Sequence, residues 1–358
     1  MTRVLFLQQQ PCIRTLKYAL GLRALGGFEL GFACQGQTLS EWYGEGDDLF
    51  ARWWRIGSDP SEVAQVVEEF RPAVIHSHNL PDRLTVVALE VVGGEVPVIH
   101  DVHDMQSLRN TPYEDGFPEP ADPLVLEKQA VAGCAALVAV SEEMLDEITV
   151  RYGRPERSLC FANYAVGRDL PATLPDPDRP LSTPPRVVYQ GTLATNRGHY
   201  DLREIFRAIV DEGVSLDVYA ARAAPEYEKM ADDLPGLTVH ERVPPQQLLT
   251  ELGRYDFGWA GFNSSLNRAH LDTALPNKAF EYVGCGLPVL TLEHRALRRL
   301  VAREGVGVSL ETIDGLRSRL ESLDMGVLRR RVAEARPALT VEANIARIAA
   351  LYLELAGT

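Results

Sequence analysis

Short, nearly unbroken apolar runs alternate with amphipathic stretches along the first half of the chain. The runs at 4–7, 30–33, 73–75, 96–99 and 136–140 predict buried strands. Between them, the spacing of apolar positions over 16–25, 62–70, 82–92, 123–132 and 142–152 predicts helices. Strands alternating with helices predict a parallel, doubly wound sheet. The unbroken apolar character agrees, because such strands are covered on both faces. The second half repeats the pattern. Strands are predicted at 186–190, 215–219, 237–240, 257–260 and 289–292, and helices at 200–210, 225–232, 246–252, 276–285 and 295–302. A last amphipathic helix is predicted over about 341–355. Residues 168–185, RDLPATLPDPDRPLSTPP, interrupt the alternation. Proline fixes φ and lacks the backbone donor, so this stretch reads as a linker. The expected organisation is one α/β domain over 1–167, the linker 168–185, a second α/β domain over 186–338 and a terminal helix within 339–358. A chain of 358 residues suits two such domains. Two open sheets joined this way suggest domains facing across a cleft, with ligands outside the carboxyl ends of strands.

Charge narrows the partners. The net charge is −14, and it is uneven: residues 1–170 hold 14 Lys+Arg against 25 Asp+Glu, and the remainder 22 against 25. An acidic chain repels phosphate backbones, so no nucleic acid is expected. An acidic first half also argues against membrane association. No stretch approaches the length of a membrane span, and residues 1–14 lack the features of a signal peptide. Five cysteines, at 12, 34, 134, 160 and 285, form no C-x-x-C pair, and Cys134, Cys160 and Cys285 read as buried thiols. A reduced, cytoplasmic location is expected. Only four of the basic residues are lysines, among them Lys278.

Candidate chemistry lies just after the strands. The segment 189–199, YQGTLATNRGH, follows a strand. Gly191 would let backbone approach a ligand, Gly198 would open the following helix, and Arg197 offers a fork suited to phosphate oxygens. The plain alternative is a turn with a solvated arginine. The segment 275–289, LPNKAFEYVGCGLPV, places Pro276 at the first helical position, with Asn277 and Lys278 in the first turn. A lysine there opposes the helix dipole, as expected where an anion sits. Glu281 could pair with Lys278 across the turn, or accept two ribose hydroxyls. In 97–104, PVIHDVHD, His103 is the candidate for touching a reacting group, and Asp101 is expected to bond loop backbone. The His100, Asp101, His103 and Asp104 cluster could also bind a metal, but no metal is the reading taken. In 75–82, IHSHNLPD, His76 and His78 are read as facing opposite sides of the strand, which speaks against joint ligation. One of them lines the expected cleft with Asn79, and Asp82 could cap the next helix. In 8–14, QQQPCIR, no G-x-G-x-x-G is present, which counts against an NAD enzyme, and Gln10 and Arg14 are acceptor-side candidates.

These segments resemble the GT-B glycosyltransferases, specifically the family 4-like group, over nearly the whole length. YQGTLATNRG at 189–198 and LPNKAFEYVGCGLPV at 275–289 carry the resemblance, supported by RPAVIHSHN at 71–79, PVIHDVHD at 97–104 and ALVAVSEEM at 136–144. The resemblance implies two Rossmann-like domains, the first binding an acceptor and the second a nucleotide-sugar, with the last helix crossing back to the first. It implies sugar transfer from a UDP- or GDP-sugar to a hydroxyl or other nucleophile, with retention and with no metal or cofactor. Donor-binding residues would be Gly191, Thr192, Arg197, Gly198, Asn277, Lys278 and Glu281. His103 and Asp104 would be catalytic: His103 beside the transferred sugar, or either one as base if the reaction inverts. Gln10, Arg14, His78 and Asn79 would lie on the acceptor side. The partners are then the donor and a sugar, small-molecule or glycan acceptor, with a homodimer left open. Two positions depart from the family pattern: Thr273, with Asp272 beside it, replaces the first of two spaced glutamates, and Thr192 replaces a phosphate-binding arginine. A nucleotide-sugar epimerase of the same fold and an inactive homologue acting as a binding protein are the alternatives. Acceptor contacts are expected on loops about 8–15, 36–58 and 105–122, the second holding Trp42, Tyr43, Trp53 and Trp54.

Overall fold

The apolar runs form strands in two separate all-parallel sheets, in a computed structural model that describes residues 1–57, 59–79, 82–109, 123–263 and 267–357. In chain order the strands are β1 (Thr2–Gln8), β2 (Phe28–Cys34), β3 (Arg52–Arg55), β4 (Val74–His78), β5 (Val98–Val102), β6 (Ala136–Ala139) and β7 (Ser158–Cys160) in the first sheet. The second sheet holds β8 (Arg186–Gly191), β9 (Ser215–Ala220), β10 (Leu237–His240), β11 (Phe257–Trp259), β12 (Val289–Leu292) and β13 (Gly307–Leu310). The first sheet is ordered β3-β2-β1-β4-β5-β6-β7 and the second β10-β9-β8-β11-β12-β13. Both orders reverse beside the first strand of the unit, between β1 and β4 and between β8 and β11. Such a switch point opens a crevice at the carboxyl edge of a parallel sheet.

The chain divides into two compact units, residues 1–162 with 341–358, and residues 163–340. In the first unit, β1 and β4 are almost wholly buried (Val4 to Leu7 and Val74 to His78), as strands covered on both faces must be. The last helix, Val341–Leu355, belongs to this unit. It packs on the helix Ile13–Leu25 at Gly21, where a Cβ would stand 2.7 Å from Ile345 Cγ1. Glycine is what permits that approach. In the second unit, the proline-dense stretch is fastened to the sheet by a buried ion pair. Arg329 reaches Asp256 at 3.0 Å and donates to the Pro177 and Arg179 carbonyls.

Three strands lie outside the sequence pattern: β3, β7 and β13 are short and, apart from buried Leu310, only partly buried or exposed, so they lack an apolar run. The 36–58 stretch is therefore not one loop. It holds the helix Leu39–Tyr43, capped by Thr38, and the edge strand β3, whose arginines suit an unpaired edge. Trp54 packs on Phe70 and donates to Glu69, while Trp53 and Trp42 are exposed. Of the expected loop 105–122, residues 110–122 lie outside the described residues. Among the described residues, no helix is long and apolar enough to cross a membrane.

Candidate functional site

The second unit brings two motifs together that are far apart in sequence. Strand β8 ends at Gly191, whose φ of 132° is open to glycine alone at low cost. A Cβ there would stand 3.1 Å from Lys278 Nζ. Lys278 is the second residue of the helix Asn277–Gly284, whose N-cap is Pro276; Pro276 is therefore not the first helical residue. Tyr282 locks this helix to the sheet. Its ring covers Gly258, where a Cβ would fall 2.2 Å from Cγ, and its hydroxyl accepts from Gln190 N–H at 3.0 Å and donates to the Trp259 carbonyl.

Lys278 is 8% exposed, and among the described residues its Nζ has no hydrogen-bond partner, Glu281 included. The surface salt bridge that the i,i+3 spacing allowed is therefore not made. Nζ lies 4.0 Å from the centre of the Tyr189 ring and 5.8 Å from that of Phe262. Burial pushes its pKa down to about 7, against a smaller opposing pull from Glu281. An unpartnered buried ammonium is costly, and an anion placed beside it could offset that cost. Glu281 is half-buried and accepts from Gln190 Nε2, and Asn277 is half-buried at the helix start.

Arg197 and Gly198 are placed differently from the sequence reading. The helix after β8 runs Arg203–Asp211, so Gly198 does not open it. Both residues sit in a turn pinned by Asp201, which accepts from Arg197 N–H at 3.1 Å, and by Asn196, which accepts from Gly198 N–H at 2.8 Å. Asp201 in turn is held by Arg203. Arg197 has a φ of 64° and an exposed side chain. A non-glycine residue in that region is strained, and such strain gathers at ligand clamps. Thr192 is half-buried, its carbonyl accepting from Tyr189 O–H.

Histidines missed by motif reading surround Phe262. Its ring stands 6.0 Å from His199 and 5.9 Å from His294. His294 is buried with Nδ1 3.8 Å from an Asp272 carboxylate oxygen, and burial lowers its pKa against a smaller opposing pull from Asp272. Thr273, at the departed glutamate position, is buried and donates to the His270 carbonyl. The only sequence signal for His294 was its place two residues after an apolar strand.

In the first unit, the carboxyl ends of β1, β4 and β5 carry a buried polar network. Residues two apart on a strand share a face. His76 and His78 therefore stack at 4.9 Å, correcting the expectation that they diverge. Register puts Asp101 beside His78 on that face. Asp101 does not bond loop backbone through its side chain; it accepts from Arg14 Nε at 2.9 Å, Tyr18 O–H at 2.7 Å and His76 Nε2 at 3.0 Å. Burial opposes its charge more than any single neighbour favours it, but Arg14, His76 and His78 together hold the carboxyl well below its usual range. With Asp101 ionised, Nε2 of His76 carries the proton and Nδ1 accepts from Tyr352 O–H at 2.5 Å. The last helix is thereby tied to the centre of the sheet. Arg14, read as an acceptor contact, is instead 3% exposed, with its guanidinium on Asp101 and against the Tyr18 and Phe161 rings.

His103 follows β5. Its backbone N–H donates to Asn79 Oδ1 at 3.1 Å, and Asn79 Nδ2 donates to the Asp104 carbonyl. Asn79 is buried and positions the 103–104 turn with both ends of its amide. Cys12, which the spacing does not single out, lies 3.9 Å from His78 Nδ1. Burial alone would raise its pKa, but His103 and His78 bring it well below the usual thiol value, and His103 is raised in turn despite its own burial. The other four thiols are all raised by burial, Cys285 to about 12. Gln10 is half-buried with its amide against Gly36, and Asp82 makes no cap bond, its carboxylate instead lying 3.1 Å from His100.

Two Rossmann-like units, each with polar groups gathered at its switch point, define the class of protein. Residues 13–163 match the family described as Glycosyl transferase 4-like domain. The chain is similar to sucrose-phosphate synthase from Thermosynechococcus elongatus, with a TM-score of 0.72 and 13% identity over 99% of each chain. It is similar to HepE of Anabaena in complex with UDP and glucose, with a TM-score of 0.70 and 14% identity over 99% of this chain and 100% of that one. A glycosyltransferase from Rickettsia africae gives a TM-score of 0.70 at 11% identity over 99% and 98%. Among curated proteins none matches. The fold is GT-B, and the chain resembles the GT-B glycosyltransferases of the family 4-like group.

Proposed function

We propose that this chain is a glycosyltransferase that moves a sugar from a nucleotide-sugar to a hydroxyl or other nucleophile of an acceptor, with retention and without a metal or cofactor. The observation that carries the reading is Lys278: a buried ammonium with no hydrogen-bond partner among the described residues, against Gly191, at the switch point of the second sheet. The donor's diphosphate is the anion that this arrangement suits. Arg197 reaches its oxygens from the neighbouring turn, beside Gly191, Thr192, Gly198 and Asn277, and Glu281 takes the ribose hydroxyls. HepE, of the same fold, is known in complex with UDP and glucose, which supports a UDP-sugar, with a GDP-sugar the second choice. Gln10, His78 and Asn79 stay on the acceptor side in this reading.

In the transfer, the bond from the anomeric carbon to the diphosphate oxygen breaks while the acceptor oxygen bonds to that carbon from the same face. The acceptor proton passes to the departing diphosphate. Lys278 and Arg197 stabilise the charge that develops there. His103, whose pKa is raised, favours its cationic form and suits charge stabilisation and sugar orientation better than proton abstraction. Asp104 is the base candidate for an inverting course.

Incubation with UDP- and GDP-sugars and a mixed acceptor panel, followed by NMR, tests the assignment. Donor consumption that depends on acceptor, with α donors giving α products, is expected. Conversion of a donor sugar without acceptor would make the chain an epimerase, and failure of every donor to bind would end the enzyme reading. His103→Ala is expected to lower kcat by about 10²–10³-fold, the loss usual for one stabilising group, with a smaller change in donor KM.

A further inference from the structure

Next to the His76–His78 stack lies a cluster that the transfer reaction does not use as a unit. Cys12 Sγ and ring nitrogens of His78 and His103 all lie within 4.8 Å of one another, at the switch point of the first sheet. Three elements supply them: Cys12 is the N-cap of Ile13–Leu25, His78 ends β4, and His103 follows β5. We propose that Cys12, His78 and His103 form a binding site for one divalent cation of the zinc class, with a thiolate and two imidazole nitrogens as ligands and the fourth position open to water.

The spacing fits. Tetrahedral bonds of about 2.0–2.3 Å place ligand atoms roughly 3.3–3.8 Å apart, and Cys12 Sγ already stands 3.9 Å from His78 Nδ1. The outer contacts fit as well. Thr15 O–H donates to Gln8 Oε1 at 2.7 Å, so its oxygen is left to accept from His78 Nε2, 3.4 Å away. That fixes the proton on Nε2 and leaves the lone pair on Nδ1, the nitrogen beside the sulfur. A hydrogen bond on the far nitrogen is how metal-binding histidines are oriented. Asn79 holds the backbone that carries His103. A thiolate with two imidazoles selects zinc or cobalt over magnesium or calcium. The neighbouring trio His76, His78 and Asp101 is also within 4.8 Å but is unsuitable. Its carboxylate is taken by Arg14, and a cation there would face that guanidinium. The site goes beyond the proposed transfer, which asks for no metal, and its occupancy would withdraw His103 from a sugar donor.

The untagged full chain, stripped of metal by chelation, should be titrated with Co²⁺ and then with Zn²⁺, following near-ultraviolet absorption and bound metal. One equivalent of Co²⁺ with a thiolate-to-cobalt band, displaced by Zn²⁺, is expected. Cys12→Ser should abolish the band, Cys160→Ser should leave it, and Thr15→Val should weaken binding by about ten- to hundredfold. Absence of the band from the wild-type protein, or its survival in Cys12→Ser, would overturn the site. The readout is independent of sugar transfer, so it fails or succeeds apart from that reaction.

Discussion

Lys278→Met is expected to raise the melting temperature of the ligand-free protein at pH 6 while weakening its binding of nucleoside diphosphate. The two effects share one cause. Burial lowers the lysine pKa to about 7, so at pH 6 the folded protein carries a buried ammonium without a hydrogen-bond partner. A methionine of similar length removes that charge; replacing even a paired buried charge by apolar side chains can stabilise by about 1–4 kcal/mol, and a gain of this order is expected here. At roughly 2–4 °C per kcal/mol, scanning calorimetry would resolve the gain. The pH dependence has a definite sign. An unfolded lysine titrates near about 10.4, so between pH 7 and that value the unfolded chain binds the extra proton. Wild-type stability therefore rises with pH across this window, and the advantage of the variant shrinks. Ligand binding runs the other way. A diphosphate favours the ammonium, so affinity in the wild type should fall up to about tenfold per pH unit above 7. Loss of the charge-assisted contact should cost about 1.5–3 kcal/mol at pH 6, or roughly ten- to a hundredfold in affinity, with a flatter pH profile. Titration calorimetry with UDP and GDP measures this. Unchanged affinity in Lys278→Met would remove the lysine from the anion site, whatever the melting temperature did.

What made this residue legible in the sequence was a local rule broken without local reward: a lysine in the first turn of a helix, in a chain with few lysines. The strands were legible for an equally local reason, since β1, β4, β5 and β8 are buried on both faces and read as apolar runs. The edge strand β3, with arginine at both ends, carries no such run and is not legible in the pattern, whereas the edge strand β10 is. The helix after β8 starts at Arg203 because Asp201 and Asn196 satisfy the preceding backbone groups and hold the turn open, which glycine spacing alone does not reveal. Arg14 illustrates the deeper limit. From its loop it could serve a substrate as readily as a core. Only the return of Asp101 to the same face, 87 positions later, consumes its charge. His294 and Cys12 likewise acquire chemical meaning from neighbours remote in sequence, and of the five thiols Cys12 alone is brought below its usual pKa, the other four being raised by burial.

Asp101→Ala is expected to destabilise the first unit more than any exposed substitution in the chain. The carboxylate is fully buried and receives Arg14, Tyr18 and His76, and through His76 it is linked to Tyr352 on the last helix. Its removal leaves the Arg14 guanidinium buried without its counter-charge, a change that costs about 3–5 kcal/mol. At roughly 2–4 °C per kcal/mol, the melting temperature should fall by about 6–20 °C. Because the folded-state pKa of Asp101 lies well below the ordinary carboxylate value, its contribution is complete above the unfolded pKa near about 4 and is lost as pH falls towards the folded one. The gap between wild type and variant should therefore be constant from pH 5 upwards and close only in stronger acid. The double substitution Arg14→Met with Asp101→Ala separates charge from shape. If the cost lies in the stranded guanidinium, the pair recovers much of the loss, and the two changes are strongly non-additive. If instead the double variant is no more stable than Asp101→Ala alone, the cost lies in the hydrogen bonds of Tyr18 and His76, and Tyr352→Phe should then reproduce part of it by severing the far end of the same chain.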